Sequence, residues 1–180
     1  VCDGVDNNCD GQIDEGVKTT FYRDADGDGY GSPSSTTQAC SQPSGYVSNS
    51  ADCDDTNASI NPETVWYKDA DGDGYSDGAT VVQCSRPSGY KLPSELTSTS
   101  GDCDDGNPSL NPQTVWYKDA DSDGYYPSGG SQVSCSDPYP ENSTYTALNP
   151  GDCDDGNPNI HPGAPLNCNN SQDNDCDGNV

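Results

Sequence analysis

The feature that most constrains this chain is a repeat of aspartate-rich segments at fixed spacing. The segment FYRDADGDGY begins at Phe21, and close copies begin at Trp66 and Trp116. A second segment, DCDD, begins at Asp52 and recurs 50 and 100 residues later. Length varies only between each DGY and the next DCDD, in stretches rich in Ser, Thr, Pro and Gly that we interpret as loops. A period of this size indicates a tandem array of small units.

The composition does not supply a conventional hydrophobic core. Leu, Ile, Val and Phe together number 19 of 180 residues, well under the roughly 20% below which chains are typically disordered. The formal net charge is -25, and so acidic a surface argues against binding to nucleic acid or insertion among anionic lipids. No apolar run is long enough to span a membrane. Cross-links or metal ions must therefore stabilise the fold.

Ten cysteines indicate disulfides, and hence a secreted or cell-surface protein in an oxidising compartment. Cysteines that are present or absent together along the repeats are the expected partners. Bonds between neighbouring repeats are the alternative, because spacing alone does not fix connectivity. The predicted pairs are Cys2 with Cys9, Cys40 with Cys53, Cys84 with Cys103, Cys135 with Cys153, and Cys168 with Cys176.

Regular secondary structure is expected to be sparse. The β-branched and aromatic residues at 64–68, 80–82 and 114–118 are typical of short strands. Each stretch borders an Asp-Gly loop, which predicts one small hairpin per repeat. No segment has a helical apolar period longer than a single turn.

Each DxDxDG segment has the spacing of a calcium-binding loop. Calcium takes about six to eight oxygen ligands, and carboxylates at positions 1, 3 and 5 with a carbonyl at position 7 surround one ion. Both ends of the chain carry a further loop of this kind, but the usual Glu at position 12 is missing throughout. We therefore expect DCDD and its nearby Asn to complete the shells. Specifically, the fixed block from each DCDD to the next DxDxDG should hold two or more ions.

The predicted ligands imply several calcium ions per chain. They are Asp6, Asn8, Asp10, Gln12 and Asp14; Asp24, Asp26, Asp28 and Tyr30; Asp52, Asp54, Asp55 and Asn57; Asp69, Asp71, Asp73 and Tyr75; Asp102, Asp104, Asp105 and Asn107; Asp119, Asp121, Asp123 and Tyr125; Asp152, Asp154, Asp155 and Asn157; and Asp173, Asp175, Asp177 and Asn179.

The expected fold is mostly irregular with short β-hairpins. It is an elongated tandem repeat with little hydrophobic core, stabilised by calcium and disulfides. The expected divisions are an N-terminal motif, three repeats and an incomplete C-terminal motif, at 1–20, 21–65, 66–115, 116–167 and 168–180.

The segments CDGVDNNCDGQIDEG at 2–16, FYRDADGDGYG at 21–31 and DCDD-x-N resemble the metal-binding motif repeats of bacterial and archaeal secreted and surface proteins. They are also similar to thrombospondin type 3 repeats. The resemblance implies calcium at the aspartates already named, along an extended chain with almost no core. The two central junctions depart from the pattern because they lack CDG-x-DNN-CDG. A secreted copper-binding member of the same broad family makes copper an alternative, but the chain has no Met and one His, and copper favours soft or imidazole ligands.

These features favour an extracellular structural module that serves as a rigid spacer, a stalk or a building unit of a surface fibre or adhesin. Catalysis is not expected, because His161 is the only histidine and no nucleophile and base pair is evident. The main alternative is an adhesive module for glycan or mineral. Its candidate platforms are the aromatic residues Trp66, Tyr67, Trp116 and Tyr117, with Tyr46 and Tyr90 in two PSGY turns, although these aromatics are more simply explained as core. Candidate glycosylation sites are Asn57, Asn142 and Asn169.

The two ends of the chain carry equivalent motifs. Cys2 and Cys168 occupy the same motif position, and the last loop stops before its Asp-Glu. This pattern predicts either one period of a longer chain with further domains, or head-to-tail assembly in which neighbouring copies complete the site.

Overall fold

The structure is a computed structural model that describes residues 2–141, 143–144, 148–167 and 169–179. Strands account for 24% of the described residues and form small sheets. The described residues contain no α-helix, only one 3-10 turn at Pro93–Glu95. The expectation of a mostly irregular fold with short hairpins and few buried residues is confirmed. The chain divides into two compact units, Val1–Tyr67 with Thr80–Leu92, and Lys68–Ala79 with Pro93–Val180.

The first unit contains two three-stranded sheets. One has the order β2-β1-β3, and its strands are β1 (Thr19–Arg23), β2 (Ser32–Ala39) and β3 (Tyr46–Val47). The other has the order β5-β4-β6, and its strands are β4 (Val65–Lys68, whose last residue is assigned to the second unit), β5 (Thr80–Val82) and β6 (Tyr90–Lys91). Each central strand leads directly into a DxDxDG loop, and the next strand returns antiparallel to it.

The second unit contains a three-stranded sheet and a parallel pair. The sheet has the order β10-β7-β9, formed by β7 (Val115–Lys118), β9 (Ser131–Val133) and β10 (Ser143–Thr144). The pair consists of β8 (Tyr125–Pro127) and β11 (Asn149–Asp152). Because β8 begins where a DxDxDG loop ends and β11 ends in DCDD, this parallel pairing brings the two motifs together.

A small core surrounds the aromatic residue that opens each repeat. Phe21 is 7% exposed, Trp66 1% and Trp116 8%. The indole N–H of Trp66 donates to the Gln83 carbonyl at 2.8 Å, and the Trp116 indole makes the equivalent bond to Ser134. These buried, hydrogen-bonded rings confirm the core interpretation of the tryptophans and leave no exposed indole platform for a sugar.

A side-chain-capped turn follows two of the DCDD segments. The Thr64 hydroxyl accepts the N–H of Asn61 at 2.7 Å and donates to the Ser59 carbonyl at 2.9 Å. Thr114 repeats both bonds at 2.8 Å. These turns direct the chain from DCDD into β4 and β7, which explains the constant length of that stretch.

The predicted disulfide pairs are wrong. The described bonds are Cys2–Cys40, Cys53–Cys84, Cys103–Cys135 and Cys153–Cys176. Cys9 is free and exposed, and Cys168, the predicted partner of Cys176, lies outside the described residues. Each DCDD cysteine bonds the next cysteine described along the chain, so Cys53–Cys84 and Cys103–Cys135 follow the alternative of bonds between neighbouring repeats.

The predicted pairing was wrong because every repeat contains one cysteine before DCDD and one within it, whether the two bond each other or bond neighbouring repeats. Co-occurrence along the chain therefore cannot separate these two arrangements. The observed bonds span 23 to 38 residues, and loops of that length give about 3.5 to 4 kcal/mol each in the chain-entropy estimate. Four such bonds indicate an oxidising environment. No described helix is long and apolar enough to cross a membrane.

Candidate metal centre

Each DxDxDG loop gathers its three aspartates around one point. Carboxylate oxygens of each trio lie within 4.8 Å of one another at Asp24, Asp26 and Asp28; Asp69, Asp71 and Asp73; Asp119, Asp121 and Asp123; and Asp173, Asp175 and Asp177. The gathered charges repel one another, so backbone bonds or a cation must compensate them.

Backbone amides hold the first of these loops closed. Asp24 accepts the N–H of Gly27 at 2.8 Å and of Gly29 at 3.2 Å. Asp26 Oδ1 accepts the Asp28 N–H, and Asp28 Oδ1 accepts the Tyr30 N–H. Gly29 takes φ of 92°, a left-handed conformation that favours glycine. One oxygen of Asp26 and of Asp28 is thus committed to the loop, and the other is directed elsewhere.

Each DCDD segment packs on the DxDxDG loop that precedes it in the sequence. The third aspartate of DCDD accepts a backbone N–H from the second residue of the loop, at 2.7 Å from Ala25 to Asp55, 2.9 Å from Ala70 to Asp105, and 2.8 Å from Ala120 to Asp155. We call the resulting clusters composite sites 1, 2 and 3. They are formed by Asp24, Asp26, Asp28, Asp52 and Asp55; by Asp69, Asp71, Asp73, Asp102 and Asp105; and by Asp119, Asp121, Asp123, Asp152 and Asp155.

This arrangement corrects the predicted block of DCDD with the following DxDxDG. The capped turn and the strand after DCDD carry the chain away, so constant spacing reflects a rigid connection and not a shared site. The variable loop, by contrast, lets the chain return. The Asp52 N–H donates to the Gly31 carbonyl at 3.2 Å, and the Asp102 N–H donates to Ser76 at 3.0 Å.

At least three carboxylates in each composite site, at equivalent positions, share an unusual property. One oxygen of each is buried and has no hydrogen-bond partner among the described residues. These atoms are Oδ2 of Asp26, Asp28 and Asp52; of Asp71, Asp73 and Asp102; and of Asp121, Asp123 and Asp152. Asp52 is only 8% exposed and Asp152 only 5%. A buried carboxylate oxygen without a partner is strongly unfavourable, so a set of three indicates a place for a cation.

The first aspartate of DCDD and the aspartates of the preceding loop form one electrostatic cluster. Burial raises the pKa of Asp52, and the charges of Asp28, Asp26 and Asp55 raise it further. The pKa of Asp102 and of Asp152 is raised in the same way, first by burial and then by aspartates of the preceding loop. Burial and neighbouring aspartates also raise the pKa of Asp121. Without a cation, these carboxylates are therefore destabilised in their charged form.

The basic residue before each loop was not singled out by the sequence analysis. Arg23 Nη1 lies 4.0 Å from Asp55 Oδ2, Lys68 Nζ lies 2.6 Å from Asp105 Oδ2, and Lys118 pairs with Asp155. The signal was present in the sequence, because FYRD, WYKD and WYKD each place a basic residue directly before the first loop aspartate.

The other predicted residues of DCDD-x-N take part in local turns. Asp54 Oδ1 accepts the N–H and hydroxyl of Thr56, and Asp104 Oδ1 accepts the Gly106 N–H. In each repeat the Asn side-chain oxygen accepts a backbone N–H two residues on, at Asn57, Asn107 and Asn157. Asp154 is exposed. Tyr75 and Tyr125 donate their backbone N–H to the loop aspartate at position 5, as Tyr30 does.

The N-terminal loop is more exposed than the composite sites. Asp6 accepts the Gly11 N–H at 2.9 Å, which lowers its pKa. Asn8 and Asp10 accept the N–H groups of Asp10 and Gln12. Asp14 differs from its predicted place in this loop, because its carboxylate accepts the N–H groups of residues 3 and 4. It lies near Cys2 and Cys40, whose sulfurs form a disulfide and are not thiolate ligands.

The C-terminal loop has the same internal pattern. Asp173 accepts the N–H of Asp177 and of Gly178, and Asp177 accepts that of Asn179. Asp175 Oδ1 is buried without a hydrogen-bond partner in the described part of the chain, as is Asp6 Oδ1 in the N-terminal loop.

Fold and site together define a disulfide-linked repeat protein with aspartate clusters suited to metal ions. The chain matches a family model described as "Putative metal-binding motif" at residues 1–15, 52–65, 102–115 and 152–180. Matched segments of this motif thus recur along the chain. No curated protein and no solved structure matches the chain. The three internal DxDxDG loops lie between the matched segments, so their part in the composite sites is evident from the structure.

Proposed function

We propose that this protein is an extracellular, calcium-binding structural repeat module, in which each composite site holds one Ca²⁺. The observation that carries the proposal is the set of buried Oδ2 atoms without hydrogen-bond partners, which recurs at equivalent positions in all three sites. The two loop aspartates and the first DCDD aspartate that own these atoms are the central ligands. The carbonyl at position 7 and the first loop aspartate, which accepts loop N–H groups as Asp24 does, supply further oxygens.

The donor chemistry favours calcium over copper. The ligand atoms offered by each composite site are oxygens, which suit hard cations, whereas copper favours imidazole and sulfur. His161 stacks on Tyr125 with ring centroids 4.8 Å apart, and Cys53, Cys103 and Cys153 are held in disulfides. Magnesium demands a stricter octahedral shell and retains several waters, which fits a cluster of convergent carboxylates less well.

The role proposed for the ions is structural. The described core is small, and the ligands come from segments about 30 residues apart in sequence, so binding one ion joins two segments that apolar contacts alone hold weakly. Such a module serves as a spacer, stalk or building unit of a surface fibre or adhesin, and it is not an enzyme. Rigidity under calcium is the property that this role requires.

Metal-stripped protein with intact disulfides provides the test. Calcium titration calorimetry and elemental analysis should give at least three ions per chain, and removal of calcium should change the near-ultraviolet circular dichroism and lower the melting temperature. Magnesium at equal ionic strength is the control for screening, and copper the competing ligand. The proposal is refuted if the chain binds no calcium, or if its spectrum and melting temperature do not change when calcium is removed.

A further inference from the structure

The third aspartate of DCDD has a different environment from the first. Its Oδ1 accepts the N–H of the second loop residue in all three sites, at 2.7 to 2.9 Å. Its Oδ2 faces the basic residue that precedes the loop, at Arg23, Lys68 or Lys118. Oδ1 is therefore bonded to the loop, and Oδ2 is ion-paired with a basic side chain. This holds for Asp105 as well, whose buried Oδ2 has the Lys68 ammonium 2.6 Å away as its counter-charge. Oδ2 of Asp52, Asp102 and Asp152 is instead directed at the loop carboxylates and lacks a hydrogen-bond partner among the described residues.

Building on the proposed function, we infer that Asp55, Asp105 and Asp155 are positioning residues and not calcium ligands. Each bonds the DCDD segment to the loop through the backbone amide, while the basic side chain compensates its charge. The first DCDD aspartate, three residues earlier, is thereby held over the loop carboxylates before any ion arrives.

The physical need for this contact follows from the charge of the cluster. Five carboxylates converge in each composite site, and like charges at these distances repel. A fixed cation beside the third aspartate reduces that repulsion without using the oxygens that face the shared point. In site 2 the Lys68 ammonium also lies 3.3 Å from Asp77. The ammonium donates a hydrogen bond to Asp77 and pairs with Asp105, which holds the cation beside the third aspartate.

Site 2 offers a matched set of variants. Asp102→Asn removes a proposed ligand, Asp105→Asn removes the positioning carboxylate, and Asp77→Asn removes a carboxylate that pairs with the same lysine but lies outside the composite site. All three change the charge equally. Calcium calorimetry measures the number and affinity of ions, and the luminescence lifetime of bound Tb³⁺ measures the coordinated waters.

We expect Asp102→Asn to weaken one site by about 30- to 150-fold, so that one ion per chain is lost at moderate calcium concentration. Asp105→Asn should keep the ion number and the hydration of Tb³⁺, while one site weakens by about tenfold because the DCDD segment is no longer held in place. Asp77→Asn should stay within about twofold of wild type. Lys68→Met should reproduce the weakening without touching any carboxylate, and Lys68→Arg should restore most of the affinity.

Several outcomes would overturn the inference. Loss of an ion or an added coordinated water in Asp105→Asn would make Asp105 a ligand. Tighter binding in Lys68→Met would show that the ammonium only repels the ion. If Asp105→Asn loses the Cys103–Cys135 bond, Lys68→Met decides the question alone. If the wild-type protein binds no calcium, the proposed function itself is refuted. If the wild type binds calcium and both Asp105→Asn and Lys68→Met bind it with unchanged affinity, only the positioning role is refuted.

Discussion

Asp152 allows the proposed ion to be tested by a substitution whose effects have opposite signs with and without calcium. Asp152 is the last residue of strand β11 and is 5% exposed. Oδ1 accepts the Asp154 N–H at 2.8 Å, and Oδ2 is buried without a hydrogen-bond partner among the described residues. Asp152→Asn keeps the shape and the Oδ1 acceptor, so charge is the main quantity that changes.

The expected loss of affinity follows from the ion's distance to a carboxylate. A ligand oxygen lies about 2.4 Å from calcium, and a unit charge at that distance attracts a double charge by about 3.5 kcal/mol even at the dielectric constant of water. The amide oxygen recovers part of this attraction. We therefore expect a loss of about 2 to 3 kcal/mol, or about 30- to 150-fold in affinity at site 3.

Without calcium the sign reverses. Burial and the charges of Asp123, Asp155 and Asp154 raise the pKa of Asp152, which means that the folded, metal-free protein disfavours its charged form. Replacing that carboxylate by a neutral amide removes the penalty. The metal-free variant should therefore melt at or above the temperature of metal-free wild type, whereas the calcium-saturated variant should melt several degrees below its wild-type counterpart.

Calorimetric calcium titration and thermal unfolding in stripped and saturated buffers measure both effects. Glu15→Gln removes one exposed charge outside the composite sites and serves as the control, with little change expected in either buffer. Equal destabilisation of Asp152→Asn in both buffers would indicate a purely structural carboxylate. Unchanged calcium affinity would exclude Asp152 as a ligand and refute the electrostatic reasoning.

Further predictions concern pH, cysteines and the core. The pKa of the first DCDD aspartates is raised in the folded protein, so the folded state binds those protons more tightly and metal-free stability should fall as pH rises from about 4. With calcium, stability should instead rise over the same range, because protons leave the ligands. Thermal unfolding against pH, with and without calcium, distinguishes the two. Cys9 should react with iodoacetamide without denaturant, as peptide mapping will show, while a protected Cys9 would contradict its exposure. Reduced protein reoxidised with calcium should form Cys53–Cys84 more often than without it, measured by disulfide mapping, and identical maps would argue against an ion-ordered DCDD. Trp66→Ala should cost about 3 to 5 kcal/mol in denaturant unfolding, and a cost below about 1 kcal/mol would contradict its core role.

Local features of this fold were predictable because they depend on neighbouring residues. Alternating Asp and Gly determine the loop conformation through bonds between residues two to five apart, such as Asp24 to Gly29. The hairpin strand β4 follows from Val-Trp-Tyr, whose bulky side chains suit a half-buried strand. In a chain so poor in apolar residues, the same reasoning placed Trp66 in the core, where it is 1% exposed.

Non-local partners were less predictable because repeated motifs offer several equivalent choices. DCDD has one DxDxDG loop before it and another after it, and constant spacing to the latter suggested contact. The Thr64 turn shows that constant spacing can instead mark a rigid connection. The same ambiguity affected the cysteines, since a shift of one partner along the chain leaves every repeat with the same content.

The two non-local results have a common physical basis in the DCDD segment. Asp52 belongs to the carboxylate cluster of the preceding loop, while the adjacent Cys53 bonds forward to Cys84. Because the residues are neighbours, their backbone cannot satisfy one constraint without restricting the other. The disulfide persists when metal is removed, but three carboxylates then direct buried oxygens at one another without a cation. Cross-linking therefore determines which segments stay joined, and the ion determines whether the joined segments remain packed. A metal-free chain should accordingly keep its disulfide connectivity while its composite sites open.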